Sequence, residues 1–438
     1  MFRRFVEQFG EAAENDPRSM LLRESPHWVG KEIGNALNAS EGVGTRLSAL
    51  GNGMRICLYV GTALPKVGGA EMVVDQLARE WIKSGQDVTV LAPAPSLWNR
   101  PDDTLYPYRV VRHLPFFSSR IGVEWYGRYL LKEHRKHRFD VIHCHGLYPH
   151  AYLATRTKGS LRVPIAFTSH GGDVGPDDRR YSKPKVRERM LWTMSQLDAM
   201  ISIGPFTREG FERLCPTKNV RIEDIPNGVA WQEYARSTAP PSDLPQDLLP
   251  RSYALFLGRL ADRKGVDLLL KALAEVPRQN KVDLVIAGDG QLRSSLEELA
   301  RELRIDDRVR FVGRVSGTKK IYLLQNARFV VMPSRRWEAL PLVLLESFAA
   351  GTPVLGTNTP GLAGLIEPGR NGMLVPAESV AELAGEMRRA FASPEDMARL
   401  GRQARQQAQR QGWDAIAQRH LELFDDLIRA KQRLREVA

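Results

Sequence analysis

Arg55-Ile-Cys-Leu-Tyr-Val60, closed by Gly61, opens the stretch on which the fold turns. After Arg55 it is a short apolar run rich in β-formers, the pattern of a strand covered on both faces. A loop over 62–69 leads into a helical pattern from about Ala70 to Ser84, which Gly85 stops. Asp87-Val-Thr-Val-Leu91 reads as the next strand. Strand, glycine-bearing loop, helix and strand make a βαβ unit. The unit recurs: Asp140-Val-Ile-His143, Ile165-Ala-Phe-Thr168 and Ala199-Met-Ile-Ser-Ile203 read as buried strands, with helical stretches between most of them.

The stretch 235–250 differs. It holds Pro240, Pro241, Pro245 and Pro250 among polar residues, which is linker composition. A second series follows, with strands over 253–257, 282–287, 309–312, 329–332 and 353–356 and helices over 266–274, 291–303 and 342–350. The fold class is therefore α/β, two doubly wound parallel-sheet halves facing across a cleft. Open sheets bind ligands beyond the carboxyl ends of their strands, so the site is expected in that cleft. The expected divisions are 1–53 as an appendage, 54–235 as the first domain and 236–250 as the linker. The second domain is expected over 251–412, with 413–438 as a helix crossing back. Residues 403–438 read as helical and basic, packing back across the two domains. Residues 1–53 hold one amphipathic segment, Phe2–Ala13, and two readings stand: a loose appendage, or a true start at Met54.

With 438 residues the chain is too long for one ordinary core. Its 43% hydrophobic and 26% charged content is that of a globular protein. No apolar run approaches the roughly 20 residues of a membrane span. Cys57, Cys144 and Cys215 form no close pair, which fits a reducing cytoplasm and offers no metal site. The formal charge of +12 favours anionic partners. A dense basic stretch runs from Arg128 through Lys132, Arg135 and Lys136 to Arg138. It reads either as a solvated helix face or as a dock for an anionic membrane. No recognised nucleic-acid module alternates its basic residues with aromatic ones, so no nucleic acid is expected.

The chemistry concentrates in Glu338-Ala-Leu-Pro-Leu-Val-Leu-Leu-Glu346-Ser-Phe-Ala-Ala-Gly351. A helix starting near Pro341 leaves Glu338 just before it and puts Glu346 roughly 7–8 Å along its axis. The helix start suits a phosphate, so the two carboxylates can face groups on either side of a diphosphate. Glu346 lies among apolar residues and needs a partner. Arg259 and Lys264 follow the first strand of the second series, where two cations can neutralise a leaving diphosphate. No Asp-x-Asp metal motif occurs in the chain, and fixed cations with a helix start would replace a metal. Gly68 and Gly69 allow close backbone approach of a diphosphate or an acceptor. His170 ends a strand and can hydrogen-bond a sugar hydroxyl. His143 and His145 read as structural. Cys144 beside them invites a metal reading, but the two histidines are expected on opposite strand faces.

The spacing of Glu338 and Glu346 resembles the E-x7-E signature of the large retaining glycosyltransferase family 4. The resemblance runs over about 54–425 and includes Gly68-Gly69, His143-Cys-His145-Gly146, His170-Gly171, Asn227-Gly228, Gly258-Arg259, Lys264-Gly265, Gly288-Asp-Gly290 and Gly313-Arg314-Val315. It implies the GT-B fold, with two Rossmann-like domains. It also implies hexosyl transfer from a UDP- or GDP-sugar to a hydroxyl, with retention and without a metal or other cofactor. Glu346 would take the ribose. Arg259 and Lys264, with Gly258, would hold the diphosphate. Glu338 and His170 would orient the sugar, and Arg314-Val315 would lie near the base. Leu340, Leu342 and Val343 would line the donor site. Expected acceptors are carbohydrate, polyprenyl-linked or lipid, in cell-surface polysaccharide, lipopolysaccharide or glycolipid synthesis. The expected place is the cytoplasm, with peripheral docking at the inner membrane face where the basic helix serves that end. Rival readings are a non-catalytic nucleotide-sugar-binding subunit and a sugar-nucleotide epimerase. Gly364 stands where the family usually has Glu, which puts one sugar or acceptor contact in doubt.

Overall fold

The computed structural model describes residues 53–95, 101–114, 120–215, 220–236, 238–245, 247–279 and 283–436. The amphipathic segment Phe2–Ala13 lies outside them. The first sheet holds β1 (Arg55–Val60), β2 (Asp87–Pro93), β3 (Arg109–His113), β4 (Val141–His145), β5 (Ile165–Thr168), β6 (Ala199–Ser202) and β7 (Arg221–Asp224), in the order β3-β2-β1-β4-β5-β6-β7. The second holds β8 (Tyr253–Leu257), β9 (Leu284–Ala287), β10 (Val309–Gly313), β11 (Ala327–Met332), β12 (Val354–Thr357) and β13 (Gly372–Val375), in the order β10-β9-β8-β11-β12-β13. All pairings within both sheets are parallel. Strand order reverses at β1/β4 and at β8/β11, and a crevice opens at such a point.

The strands at those reversals are apolar because both faces are covered. In β1, Ile56, Cys57, Leu58 and Tyr59 are fully buried, and β8 buries Tyr253, Ala254 and Leu255 in the same way. Three strands escape the sequence reading: β3, β7 and β13 all lie at sheet edges. Two of their sequences, Arg-Val-Val-Arg-His and Arg-Ile-Glu-Asp, carry little of the buried-strand pattern because an edge leaves part of the strand in water, while Gly-Met-Leu-Val is apolar but only four residues long.

The basic C-terminal stretch holds the end of one helix and the whole of another. A helix over Pro394–Gln409 ends, and a second runs over Trp413–Glu436. At the break the Val229 amide donates to the Gln411 carbonyl at 2.8 Å, tying the crossing to the first half. The last helix then packs on the helix Gly69–Lys83, where Trp81 donates its indole N–H to the Ala417 carbonyl at 3.0 Å. Ile416, Leu421 and Phe424 join the core around β1.

Candidate active site

The second half builds its part from two loops laced together. After β8 the chain passes Gly258 and Arg259, makes a short turn over Asp262–Lys264, and enters a helix over Val266–Glu275. The loop after β11 answers it. The Arg335 amide donates to the Arg263 carbonyl at 2.9 Å, and the Arg335 guanidinium grips both Asp267 oxygens at 2.7 and 2.6 Å. This lacing puts Lys264 Nζ 2.6 Å from Glu338 Oε1, and Ser334 Oγ donates to the same oxygen at 2.8 Å. The pair is largely dry, with 17% of the lysine and 7% of the glutamate side chain exposed. Burial pulls the Lys264 ammonium below its ordinary value, against the opposing pull of Glu338. Arg263 approaches the same carboxylate at 3.8 Å. Arg259 is exposed, and its guanidinium has no hydrogen-bond or ion-pair partner among the described residues.

Eight residues, Leu342–Ala349, form the following helix, with Pro341 at its cap. It ends at Gly351, whose φ of 72° suits glycine, and packs closely on the helix Pro394–Gln409. Glu346 does find a partner: Lys320 Nζ lies 2.7 Å from its Oε1. The Tyr234 hydroxyl bonds the same carboxylate, and burial together with that charge pushes the phenol well above its usual range. Each candidate carboxylate thus has its own lysine. Leu340 is buried, Leu342 and Val343 are half-buried, and Asn227 of the first half donates to the Leu340 carbonyl at 3.3 Å. Arg314 is 78% exposed, 3.9 Å from Asp289, and Val315 packs partly against the core.

In the first half, His170 lies two residues beyond β5, and its Nε2 is 2.8 Å from His145 Nδ1. The two rings stack with 19° between their planes. Burial pushes the His170 imidazole down to about 4, so the ring is neutral at pH 7. His143 and His145 do not point to opposite faces. Residues two apart on a strand share a face, and their ring centroids are 4.3 Å apart. The residue facing the other way is Cys144. His143 bonds the Thr168 hydroxyl at 2.8 Å, and His145 supports His170.

Gly68 caps the helix Gly69–Lys83. The two glycines differ: a Cβ on Gly68 would stand 2.4 Å from Glu71 Oε2, whereas one on Gly69 would meet nothing within 4 Å. The Glu71 carboxylate, held by the Thr62 hydroxyl, therefore stands at this helix start. A diphosphate there would meet a negative charge, while a hydroxyl would meet an acceptor.

The halves touch through the loop that carries Glu338. Trp337 stacks on Phe206 with centroids 4.6 Å apart and 10° between planes. Arg336 pairs with Asp177 at 3.0 Å. A crevice of about 380 Å³ lies beside this stack, lined by Pro176, Asp177, Phe206, Arg213, Arg336 and Trp337, with none of the donor-site candidates in its wall. Gly364, where the family usually has Glu, faces Pro205: a Cβ there would come within 2.8 Å of the proline ring. A larger side chain has no room against the first half at that point. Sequence reasoning missed Lys320, Ser334, Tyr234, Trp337 and the support role of His145, all of which depend on contacts between distant segments. Among the described residues no cluster of His, Cys, Asp and Glu is arranged to hold a metal ion.

Two family matches cover most of the chain, one in each half. Residues 67–232 match Glycosyltransferase Family 4, and residues 247–407 match Glycosyl transferases group 1. An uncharacterised glycosyltransferase of Methanocaldococcus jannaschii is 26% identical over 74% of this chain and 85% of its own length. The alpha-monoglucosyldiacylglycerol synthase of Streptococcus pneumoniae is 27% identical over 78% of this chain and 80% of its own. Among solved structures, sucrose-phosphate synthase of Thermosynechococcus elongatus superposes with a TM-score of 0.69 at 22% identity, over 86% of this chain and 100% of that one. The Anabaena protein HepE in complex with UDP superposes with a TM-score of 0.71 at 19% identity, over 85% and 100%.

Proposed function

Because this chain belongs to the family 4, group 1 glycosyltransferases and has their GT-B fold, we propose that it moves a hexosyl group from a UDP- or GDP-sugar to a hydroxyl acceptor with retention of configuration. The observation that carries this reading is the buried Lys264–Glu338 pair at the β8/β11 reversal, with the exposed Arg259 beside it. Such a site offers cations to a diphosphate and a carboxylate to sugar hydroxyls within one side-chain length. Arg259 and Lys264 hold the diphosphate, with the Gly258 backbone close by. Glu346 accepts hydrogen bonds from the ribose, and Arg314-Val315 lie by the base, with Leu340, Leu342 and Val343 along the donor. Glu338 and His170 orient the sugar. The chemistry is a front-face exchange. The bond from the anomeric carbon to the phosphate oxygen breaks, and the acceptor oxygen bonds to that carbon on the same face. Its proton passes to the departing phosphate. The arginine and lysine charges stabilise the phosphate as its negative charge grows. The open Gly69 and the Glu71 carboxylate favour the acceptor at the first half's helix start.

The named activity of the pneumococcal relative and the UDP held by the Anabaena protein support a nucleotide-sugar donor and a lipid acceptor. No helix among the described residues is long and apolar enough to cross a membrane. We place the protein in the cytoplasm, docked at the inner membrane face through the helix Arg120–His137, whose Arg128, Lys132, Arg135 and Lys136 are exposed.

Calorimetric titration with UDP-, GDP- and ADP-sugars identifies the donor, and labelled donor with lipid and saccharide acceptors then reads transfer. Arg259→Ala and Glu346→Ala are expected to abolish transfer and weaken donor binding. Unchanged turnover in both variants would overturn the site assignment. An isomerised sugar from donor alone would point to an epimerase, and binding without turnover to a partner subunit.

A further inference from the structure

The contacts of the loop 335–340 are divided between the two halves of the molecule. Glu338 sends its side chain into the second half, to Lys264 and Ser334. Its neighbours go the other way, to the first half. Trp337 lies on Phe206, and its ring fills a notch in the first half. A Cβ added at Gly171 would stand 3.0 Å from that ring and 2.6 Å from Ala339 Cβ, and one at Gly175 would stand 2.6 Å from the ring. Gly171 has a φ of 95°, so glycine also suits its backbone. Leu340 is held through its carbonyl by Asn227. On the second half's side the Glu338 amide donates to the Pro360 carbonyl at 3.0 Å, and the Arg263 guanidinium lies 5.9 Å over the Trp337 ring.

We propose that Trp337 is an interdomain positioning residue: by seating its ring between Gly171, Gly175 and Phe206 it sets the backbone from which Glu338 reaches the donor sugar. The first half then governs the donor through the residues flanking Glu338, in addition to anything it touches directly. Trp337 itself needs no contact with substrate. His170 immediately precedes the notch glycine, so the same seating fixes the spacing between His170 and Glu338. The inference rests on the reading of Glu338 as a sugar-orienting carboxylate.

The test combines a double-mutant cycle with a separation of binding from turnover. Nucleotide affinity is measured by calorimetry with UDP, GDP and ADP, and transfer with UDP-, GDP- and ADP-glucose. Trp337→Ala is expected to lower kcat by about 100-fold, the scale of a small misplacement at a reacting centre, while nucleotide Kd stays within about twofold because the nucleotide sits on the second half. Trp337→Phe keeps a stacking ring and should recover most of the rate. Phe206→Ala should reproduce the loss, and the double variant should be no slower than either single one, as for two groups acting as a unit. Independent, multiplying losses would overturn the proposal, as would an equal loss with Trp337→Phe or a matching fall in nucleotide affinity. Glu338→Gln separates the two readings. If it transfers at the wild-type rate, the role of Glu338 itself is wrong. If it is impaired while Trp337→Ala is not, the positioning role alone fails.

Discussion

Replacing Glu338 by glutamine should make the protein bind a bare nucleoside diphosphate more tightly. Lys264 sits 2.6 Å from Glu338, and both side chains are mostly out of water. Two unit charges about 4 Å apart attract by about 4 kcal/mol at an effective dielectric constant of 20. A diphosphate must compete with that attraction for Lys264, and its own negative charge is repelled by the same carboxylate. At about 6 Å that repulsion is roughly 3 kcal/mol in the same medium, lessened by Arg259 and Arg263. The amide would keep the shape and the Ser334 hydrogen bond while removing the competition. If even a third of the combined energy is recovered, Kd for UDP or GDP falls roughly 10–100-fold. The sugar-bearing donor loses a charged acceptor for its hydroxyls, worth about 1.5–3 kcal/mol, so transfer should drop by about the same factor that nucleotide affinity gains. Lys264→Met predicts the opposite sign for the nucleotide. It removes a phosphate cation and strands a buried carboxylate, a change that costs about 3–5 kcal/mol in comparable pairs. Calorimetry at fixed pH and salt measures both affinities, and urea unfolding gives the stability of the lysine variant. Should Glu338→Gln bind the nucleoside diphosphate no more tightly than wild type, Glu338 does not hold Lys264 back and the reasoning fails.

Acid should destabilise the first half. His420 is 3% exposed and its imidazole is pushed down to about 4, and His150, 4% exposed, down to about 3, in each case chiefly by burial. Their folded values lie below the unfolded one, so their stability contribution is complete above about pH 6.5 and is lost as pH falls toward those folded values. The loss reaches roughly 2 kcal/mol per ring by about pH 5. Thermal midpoints at about pH 7.5 and 5 check this, and His420→Leu should flatten the slope. Gly401→Ala would bring a Cβ within 2.1 Å of the Gly351 carbonyl, which ends the helix carrying Glu346. It should cost about 1–3 kcal/mol in urea unfolding, and an unchanged midpoint would show that the two helices separate without penalty.

What the sequence reveals and what it hides have different physical origins. A strand buried on both faces has to be apolar along its length, so β1, β5 and β8 stand out as runs, and the alternation with helices gives the doubly wound class. The edge strands β3 and β7 answer to water on one side and lose that mark. The reading of His143 and His145 as opposed goes wrong on the strand period itself, since residues two apart point the same way. Among the candidate site residues, Glu338, Glu346, Arg259 and Lys264 could be picked out because they lie close together along one loop and one helix. Their counterions obey no such spacing. Lys320 reaches Glu346 from the helix Gly317–Asn326, and Phe206 reaches Trp337 from the other half of the molecule. Each of these partners is set by how two sheets and their loops come together. The pairing also changes what the motif residues mean. A carboxylate read alone is a ready acceptor for a hydroxyl. Held by a buried lysine, it is a weaker acceptor, and on the reading proposed above a diphosphate arriving with its sugar would supply a replacement for each partner at once.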